Sequence, residues 1–396
     1  MTLLTRSRMS LVLLLSVIVG GLAACNPPAS TPDASTNDAY VPRDTNAPFV
    51  PSWHAGPDYP TPIAFGAAMV LPGMDGLPYL YVIGGAEGSF ADITQFHSEI
   101  RRAPIQADGS LGAWVDSGNI GTGVGNVQLA GHGAIRVVAE DGAIGFAVAG
   151  GGNSMTALPK VLAGYIQVDE SIGMWGGFTP VISAAQGGQS FGSFNSFESH
   201  QLALVGGMGA SGPTNHVIIA ATMAGTMDPV WRDGPPLPTA RYGHGSVQLG
   251  AAGTAQDIVL VGGMGPGNVL ANDILVSVRN PTTLEIADWA PGGSLPSPVV
   301  FPQTVVFDNG HMYVIGGVSG DPLVDNLETS VRMSTTSQGA PHATIGTPMH
   351  VAGADLPEGR AGGLVAILGH TVYIVGGIMG ADHTASTSVV YAQLER

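Results

Sequence analysis

Short apolar runs that end in a glycine pair recur along the chain, separated by polar, turn-rich stretches. There are six: Leu80-Tyr-Val-Ile-Gly84-Gly85, Phe146-Ala-Val-Ala-Gly150-Gly151, Leu202-Ala-Leu-Val-Gly206-Gly207, Ile258-Val-Leu-Val-Gly262-Gly263, Met312-Tyr-Val-Ile-Gly316-Gly317 and Val372-Tyr-Ile-Val-Gly376-Gly377. Runs this short, rich in Val, Ile and Tyr, predict strands covered on both faces rather than buried helices. Tryptophan marks a second recurring position, at Trp53, Trp114, Trp175, Trp231 and Trp289, with His350 in the sixth place. The stretches Ile105-Gln-Ala-Asp-Gly-Ser-Leu-Gly-Ala-Trp114 and Ile166-Gln-Val-Asp-Glu-Ser-Ile-Gly-Met-Trp175 match almost residue for residue. Beyond the marker a Tyr-Pro or Leu-Pro pair opens the next unit, at Tyr59-Pro60, Leu237-Pro238, Leu295-Pro296 and, after His350, Leu356-Pro357. Each unit therefore predicts a strand, a strand ending in Gly-Gly, a loop, a strand, a turn and a last strand bearing Trp.

The combined double-glycine and tryptophan pattern resembles the kelch repeat. Six units over residues 51–396 resemble an all-β, six-bladed kelch-type β-propeller, in which each sheet buries its faces against its neighbours around an axis. Trp53 precedes every glycine pair, and the chain ends on the strand-like Ser388-Val-Val-Tyr-Ala-Gln-Leu394 with no tryptophan after it. The N-terminal strand is therefore expected to complete the last blade, removing two exposed sheet edges. Departures from the pattern are a longer blade 2, the loose Gln186-Gly-Gly-Gln-Ser-Phe-Gly-Ser of blade 3, and His350 in blade 5.

Ahead of the repeats, Arg6 and Arg8 precede the apolar run Leu11–Val19 and then Gly-Gly-Leu-Ala-Ala-Cys25. The run is about half the twenty residues that a membrane-spanning helix needs, so it reads as an export signal. Leu22-Ala-Ala-Cys25 resembles the lipobox of bacterial lipoproteins, which implies a signal peptide over 1–24, an acylated Cys25 and a membrane partner through that lipid. Residues 25–50, rich in Pro, Ser and Thr, have the composition of an extended tether. The expected address is the cell envelope, and Asn26 after the cysteine favours the outer membrane if the cell is Gram-negative.

Charge and cysteine usage narrow the chemistry. The chain carries 13 Lys and Arg against 29 Asp and Glu, a formal charge of −16, which argues against nucleic acid as a partner. With Cys25 the sole cysteine, no intrachain disulfide can form, and the copper oxidase that resembles galactose oxidase is excluded because it needs a cysteine cross-linked to tyrosine. No paired-histidine metal motif occurs, Lys160 is the only lysine and opens no phosphate loop, and the residues around Ser154 form no nucleophile elbow. No metal and no cofactor is expected. Asp321, Asp325 and Asp382 follow glycine pairs but match no calcium loop. Asp108 and Asp169 suit turn hydrogen bonds.

Candidate ligand-binding residues gather where the inner strands begin, on the face that also carries the loops after the glycine pairs. Aligned units read Arg241-Tyr-Gly-His244, Arg360-Ala-Gly-Gly363, Val299-Val-Phe-Pro302-Gln303 and Ile63-Ala-Phe-Gly66, with His132 and Gln189 from the irregular blades. Arg241, His244, Arg360, His132 and Gln303 could bind an anionic or sugar-like ligand at the channel mouth. The same arginines could instead cap strand ends by donating to backbone carbonyls, with the histidines filling the channel. No carboxylate stands at the matching positions, so no catalytic residue is assigned. The sequence points to a non-enzymatic module binding an envelope protein or glycan. Its rival is a carbohydrate-active enzyme similar to the kelch-type sialic acid mutarotases.

Overall fold

Each apolar run forms the second strand of a four-stranded blade, and six blades close into a ring. The computed structural model describes residues 51–395 apart from 124, 139–141, 154–155, 158–160, 179–191, 198–200, 210, 222–229, 251–255, 281–284, 323–325 and 339–341. Cys25, the expected signal and tether, Gln189 and Asp325 lie outside the described residues. Blade 1 runs Ala67–Pro72, Pro78–Gly88, Ile93–Pro104 and Val115–Asn119; blade 2 runs Ala130–Val138, Ile144–Asn153, Val161–Ile166 and Ile172–Phe178. Blade 3 comprises Ser193–Phe197, Gln201–Gly209, Gly212–Ala221 and Val230–Asp233, and blade 4 Gly245–Leu249, Gln256–Val261, Asp273–Arg279 and Ala290–Ser294. Blade 5 has Gln303–Val306, His311–Ile315 and Val331–Ser337, with Thr344–Ile345 and Met349–His350 sharing the fourth place. Blade 6 takes Leu364–Leu368, Thr371–Val375 and Val389–Gln393 from the end of the chain and His54–Ala55 from its start.

The seam is antiparallel, with His54 opposite Tyr391 and Ala55 opposite Val390. Completing the last blade with the first strand gives the closing sheet the fourth strand it would otherwise lack. This is the closure expected from Trp53 preceding all six glycine pairs.

Burial on both faces of the second strands follows from side-chain alternation. Tyr81 and Ile83 pack toward blade 2 with Phe146, Val148 and Leu162, whereas Leu80 and Val82 pack toward blade 6 with Leu364, Tyr373 and Val375. The same division repeats around the ring, so the core is a series of clusters between successive blades. Tryptophans brace the linkers between blades. The indole Nε1 of Trp114 donates to Pro57 O at 2.9 Å, that of Trp289 to Pro235 O at 3.0 Å, and that of Trp53 to Ala354 O at 2.7 Å. Each acceptor lies just before the buried Tyr59, Leu237 or Leu356 of the pair that opens the tryptophan's own blade. His350 occupies the fourth-strand position, opposite Arg332, but its half-exposed ring faces Asp355 at 2.7 Å.

The glycine pairs have a joint task. All twelve glycines have φ between 53° and 116°. At Gly206 and Gly207 the backbone turns so that the amide of Gly207 donates to the carbonyl of Arg241 in the next blade at 2.8 Å. A Cβ on Gly206 would stand 2.9 Å from that carbonyl oxygen, so an L side chain is barred by contact as well as by conformation. Equivalent bonds run from Gly85 to Leu129, Gly263 to Val299, Gly317 to Arg360 and Gly377 to Ile63.

Candidate functional site

The residues that start the inner strands surround the axis. Gly66, His132, Gly192, His244, Pro302 and Gly363, one from each blade, line an axial cavity of about 130 Å³. The two imidazoles lie against the glycine pairs of the preceding blades, where a Cβ on Gly84 would stand 3.0 Å from His132 Cε1, and one on Gly206 would stand 3.0 Å from His244 Cε1. Burial holds the His132 pKa down to about 4, partly offset by the Ile83 carbonyl. For His244 burial, reinforced by the Arg241 charge and offset by the Val205 carbonyl, holds it down to about 3. Both rings are therefore neutral at ordinary pH, each facing the carbonyl of the residue before a glycine pair.

Arg241 and Arg360 precede these axial positions by three residues and are almost completely buried. The Nη1 of Arg241 donates to Gly262 O at 3.0 Å, and its two Nη atoms grip Asp273 at 2.6 and 2.9 Å in a paired arrangement. Asp273 opens the third strand of the same blade, so the guanidinium ties the second strand to the third. In blade 6, Arg360 Nη1 donates to Gly376 O at 2.7 Å and Ser388 O at 3.1 Å, and Nη2 donates to Ser388 Oγ at 3.0 Å. Burial lowers the Arg360 pKa to about 10, which leaves it charged. Gln303 is buried, and its Nε2 donates to Phe301 O at 3.2 Å. The structure thus brings His132 and His244 to the axial cavity, while Arg241, Arg360 and Gln303 hydrogen-bond to the protein's own groups.

Adjoining the axial cavity through Phe65 and Phe301 lies a larger, mostly apolar cavity of about 280 Å³, lined by Phe65, Phe90, Tyr242, Phe301 and Met264. Ser89, Asn268 and Asp321 supply its polar lining. Phe65 and Phe301 come from the starts of inner strands. Phe90, Asn268 and Asp321 come from loops that follow glycine pairs in blades 1, 4 and 5, so the cavity sits on the face where those loops converge. The rings pack as a continuous wall: Phe65 and Phe301 are 5.2 Å apart, Phe90 and Phe301 5.4 Å, and Tyr242 meets Phe301 edge-on at 5.9 Å. Burial raises the Tyr242 pKa, keeping its phenol protonated.

Two of these aromatics occupy a costly backbone conformation. Phe65 and Phe301 have φ of 59° and 55°, whereas the same repeat position holds Gly131, Gly243 and Gly362 at 67°, 62° and 61°. A bulky residue there costs on the order of 1–3 kcal/mol, and such strain concentrates at functional sites. The neighbouring glycines make room: a Cβ on Gly243 would lie 2.7 Å from Phe301 Cε1, and one on Gly362 would lie 2.3 Å from Phe65 Cε1. The aromatic mouth is absent from the residues singled out by sequence. Its available signal was Phe in Ile63-Ala-Phe-Gly66 and Val299-Val-Phe-Pro302, where aligned units carry glycine.

Several described acids outside the mouth are engaged in turns or ion pairs. Asp108 Oδ1 accepts from Ser110 N and Oγ, and Asp169 Oδ1 accepts from Ser171 N and Oγ, as expected of turn residues. Among the described residues no group of three His, Cys, Asp or Glu side chains could hold a metal ion.

No family model matches the chain, and no curated protein matches it. Among solved structures it is similar to that of YjhT, with 12% identity, a TM-score of 0.57, and coverage of 85% of this chain and 96% of that one. The likeness is one of fold, and the six-bladed propeller is shared.

Proposed function

We propose that the chain is a kelch-type lipoprotein of the bacterial envelope, anchored through Cys25, that binds a protein or glycan non-enzymatically at its aromatic mouth. The observation carrying this reading is the strained pair Phe65 and Phe301 in the wall of a cavity of about 280 Å³. An aromatic surface held open at a conformational cost, with a few polar groups around it, is suited to ligand recognition. A chemical step would need a proton donor or acceptor matched to substrate. The arginines are engaged internally, and the two axial histidines are buried at the adjoining axial cavity. The enzymatic alternative, a carbohydrate-active protein similar to the kelch-type sialic acid mutarotases, shares the fold and would have to draw its acid and base from Asp321 and Tyr242 rather than from the arginines or the axial histidines.

The test is a screen of the full chain against envelope proteins and glycans, repeated with Phe90→Ala. Saturable binding without turnover, weakened at least fivefold by the substitution, is expected. Binding unaffected by Phe90→Ala, or conversion of a bound sugar, overturns the proposal.

A further inference from the structure

We infer that the axial cavity is the recognition pocket of the mouth and takes a neutral hydroxylated end group, the terminus of a sugar or polyol, whose hydroxyls donate to His132 and His244. The inference rests on the mouth being the ligand site and names the chemistry that its axial end selects. Both imidazoles are at least nine-tenths buried, and none of their four ring nitrogens reaches a hydrogen-bond partner in the protein. Burying polar atoms unpartnered is costly, so two such rings on one cavity mark a place for a molecule that supplies the missing bonds. Each ring faces a carbonyl of the preceding blade, Ile83 for His132 and Val205 for His244. A carbonyl only accepts, which places the ring hydrogen on that side and leaves the other nitrogen of a neutral imidazole as a bare acceptor. The pocket therefore asks its ligand for donors.

The rest of the lining disfavours charged ligands. Gly66, Gly192 and Gly363 contribute backbone alone at three of the axial positions, and no carboxylate, lysine or arginine is among the described lining residues. Nor do the lining amides form an anion cradle. Those of Phe65, Gly131, Phe301 and Gly362 are spent in bonds that run around the axis, to the carbonyls of Gly362, Phe65, Gly243 and Phe301 at 2.9, 2.7, 2.6 and 2.9 Å. Arg241 and Arg360 turn their Nη donors into their own blades. A metal ion would meet two imidazoles and no charged ligand, and among the described residues no third His, Cys, Asp or Glu completes a site. The volume of about 130 Å³ has room for about four waters, which suits the end of a polyol or the edge of a sugar ring. Phe65 and Phe301 line both cavities, so the body of a larger ligand would lie in the adjoining mouth.

Magnetic resonance of the full chain, isotopically labelled in its histidine rings and held in a sugar-free non-ionic detergent, tests this with glucose, glucuronate, xylitol, lactose and zinc ion. Glucose should bind at least tenfold more tightly than glucuronate, whose charge finds no partner in the pocket. Binding should shift the ring-nitrogen signals of His132 and His244 and leave those of the exposed His54 in place. His132→Leu and His244→Leu should each weaken glucose about fivefold or more. The signal shifts of the parent chain decide the matter whether or not these variants fold. Lactose bound more tightly than xylitol identifies a glycan terminus as the source, and the reverse order identifies a free polyol. Equal affinity for glucose and glucuronate, zinc bound more tightly than glucose, or sugar binding with unmoved axial signals overturns the inference. A screened envelope ligand that is weakened by Phe90→Ala but shifts neither histidine also overturns it, while leaving the binding-module reading intact. Failure of every ligand overturns both.

Discussion

The amide of Gly207 in blade 3 donates to the carbonyl of Arg241 in blade 4 across 2.8 Å, and the same residue-to-residue relation recurs at four further seams. Gly207 has φ of 111°, a region that L residues avoid. Gly207→Ala is expected to destabilise the ring by about 2–4 kcal/mol, combining backbone strain with loss of the inter-blade bond. Chemical denaturation measures this, and a loss under about 0.5 kcal/mol would remove the geometric role given to the glycine pair.

Acid should loosen the ring through its axis. His132 and His244 titrate near 6.5 when unfolded but are held down to about 4 and about 3 in the fold. The unfolded chain therefore binds their protons first, so the stability present above pH 6.5 is lost as pH falls toward the folded values. The loss is about 3 kcal/mol per histidine by pH 4. Replacing both by Gln should flatten the melting profile between pH 6.5 and 4. An unchanged profile would show that the histidines are not the acid-sensitive groups.

Trp53 holds the seam from the blade that the two ends of the chain share. Its indole donates to Ala354 O at 2.7 Å and packs against the cluster containing Leu356 and Val390. Trp53→Ala should cost about 3–5 kcal/mol, the range for a large aromatic removed from a packed site. Hydrogen exchange should accelerate first in Val389–Gln393, the neighbouring strand. Uniform acceleration across all blades would contradict a local seam.

Arg360 makes three hydrogen bonds inside blade 6. Arg360→Ala should lower stability by about 2–4 kcal/mol, because buried acceptors lose their donor and a cavity remains. Ligand affinity measured below the new melting temperature should stay within twofold of the parent. A selective loss of affinity at unchanged stability would instead make this arginine a ligand contact.

The expected lipidation has its own test. Cys25→Ser should either leave an unprocessed precursor or release the chain from the membrane fraction. Normal processing and continued membrane retention of the variant would refute an anchor at Cys25.

Local chain chemistry made the ring legible from sequence. A glycine pair after four apolar residues, a tryptophan, and a proline-marked opening recur in fixed order, and short-range backbone needs impose that order in every blade. Even the closure was readable, since it depends only on Trp53 preceding the first pair and no tryptophan following the last. The mouth was not legible in the same way. Arg241, Arg360, His132 and His244 stand out as polar residues in an apolar repeat, but sequence cannot say whether a guanidinium turns toward a ligand or toward Gly262, Asp273, Gly376 and Ser388. That choice depends on groups brought within 3 Å only when strands of one blade are laid side by side. The aromatic wall is subtler still, because Phe65, Phe90, Tyr242 and Phe301 belong to three blades and meet only once the ring has closed. Local periodicity determined the blades; convergence of distant loops on a common axis decided which side chains face an incoming ligand.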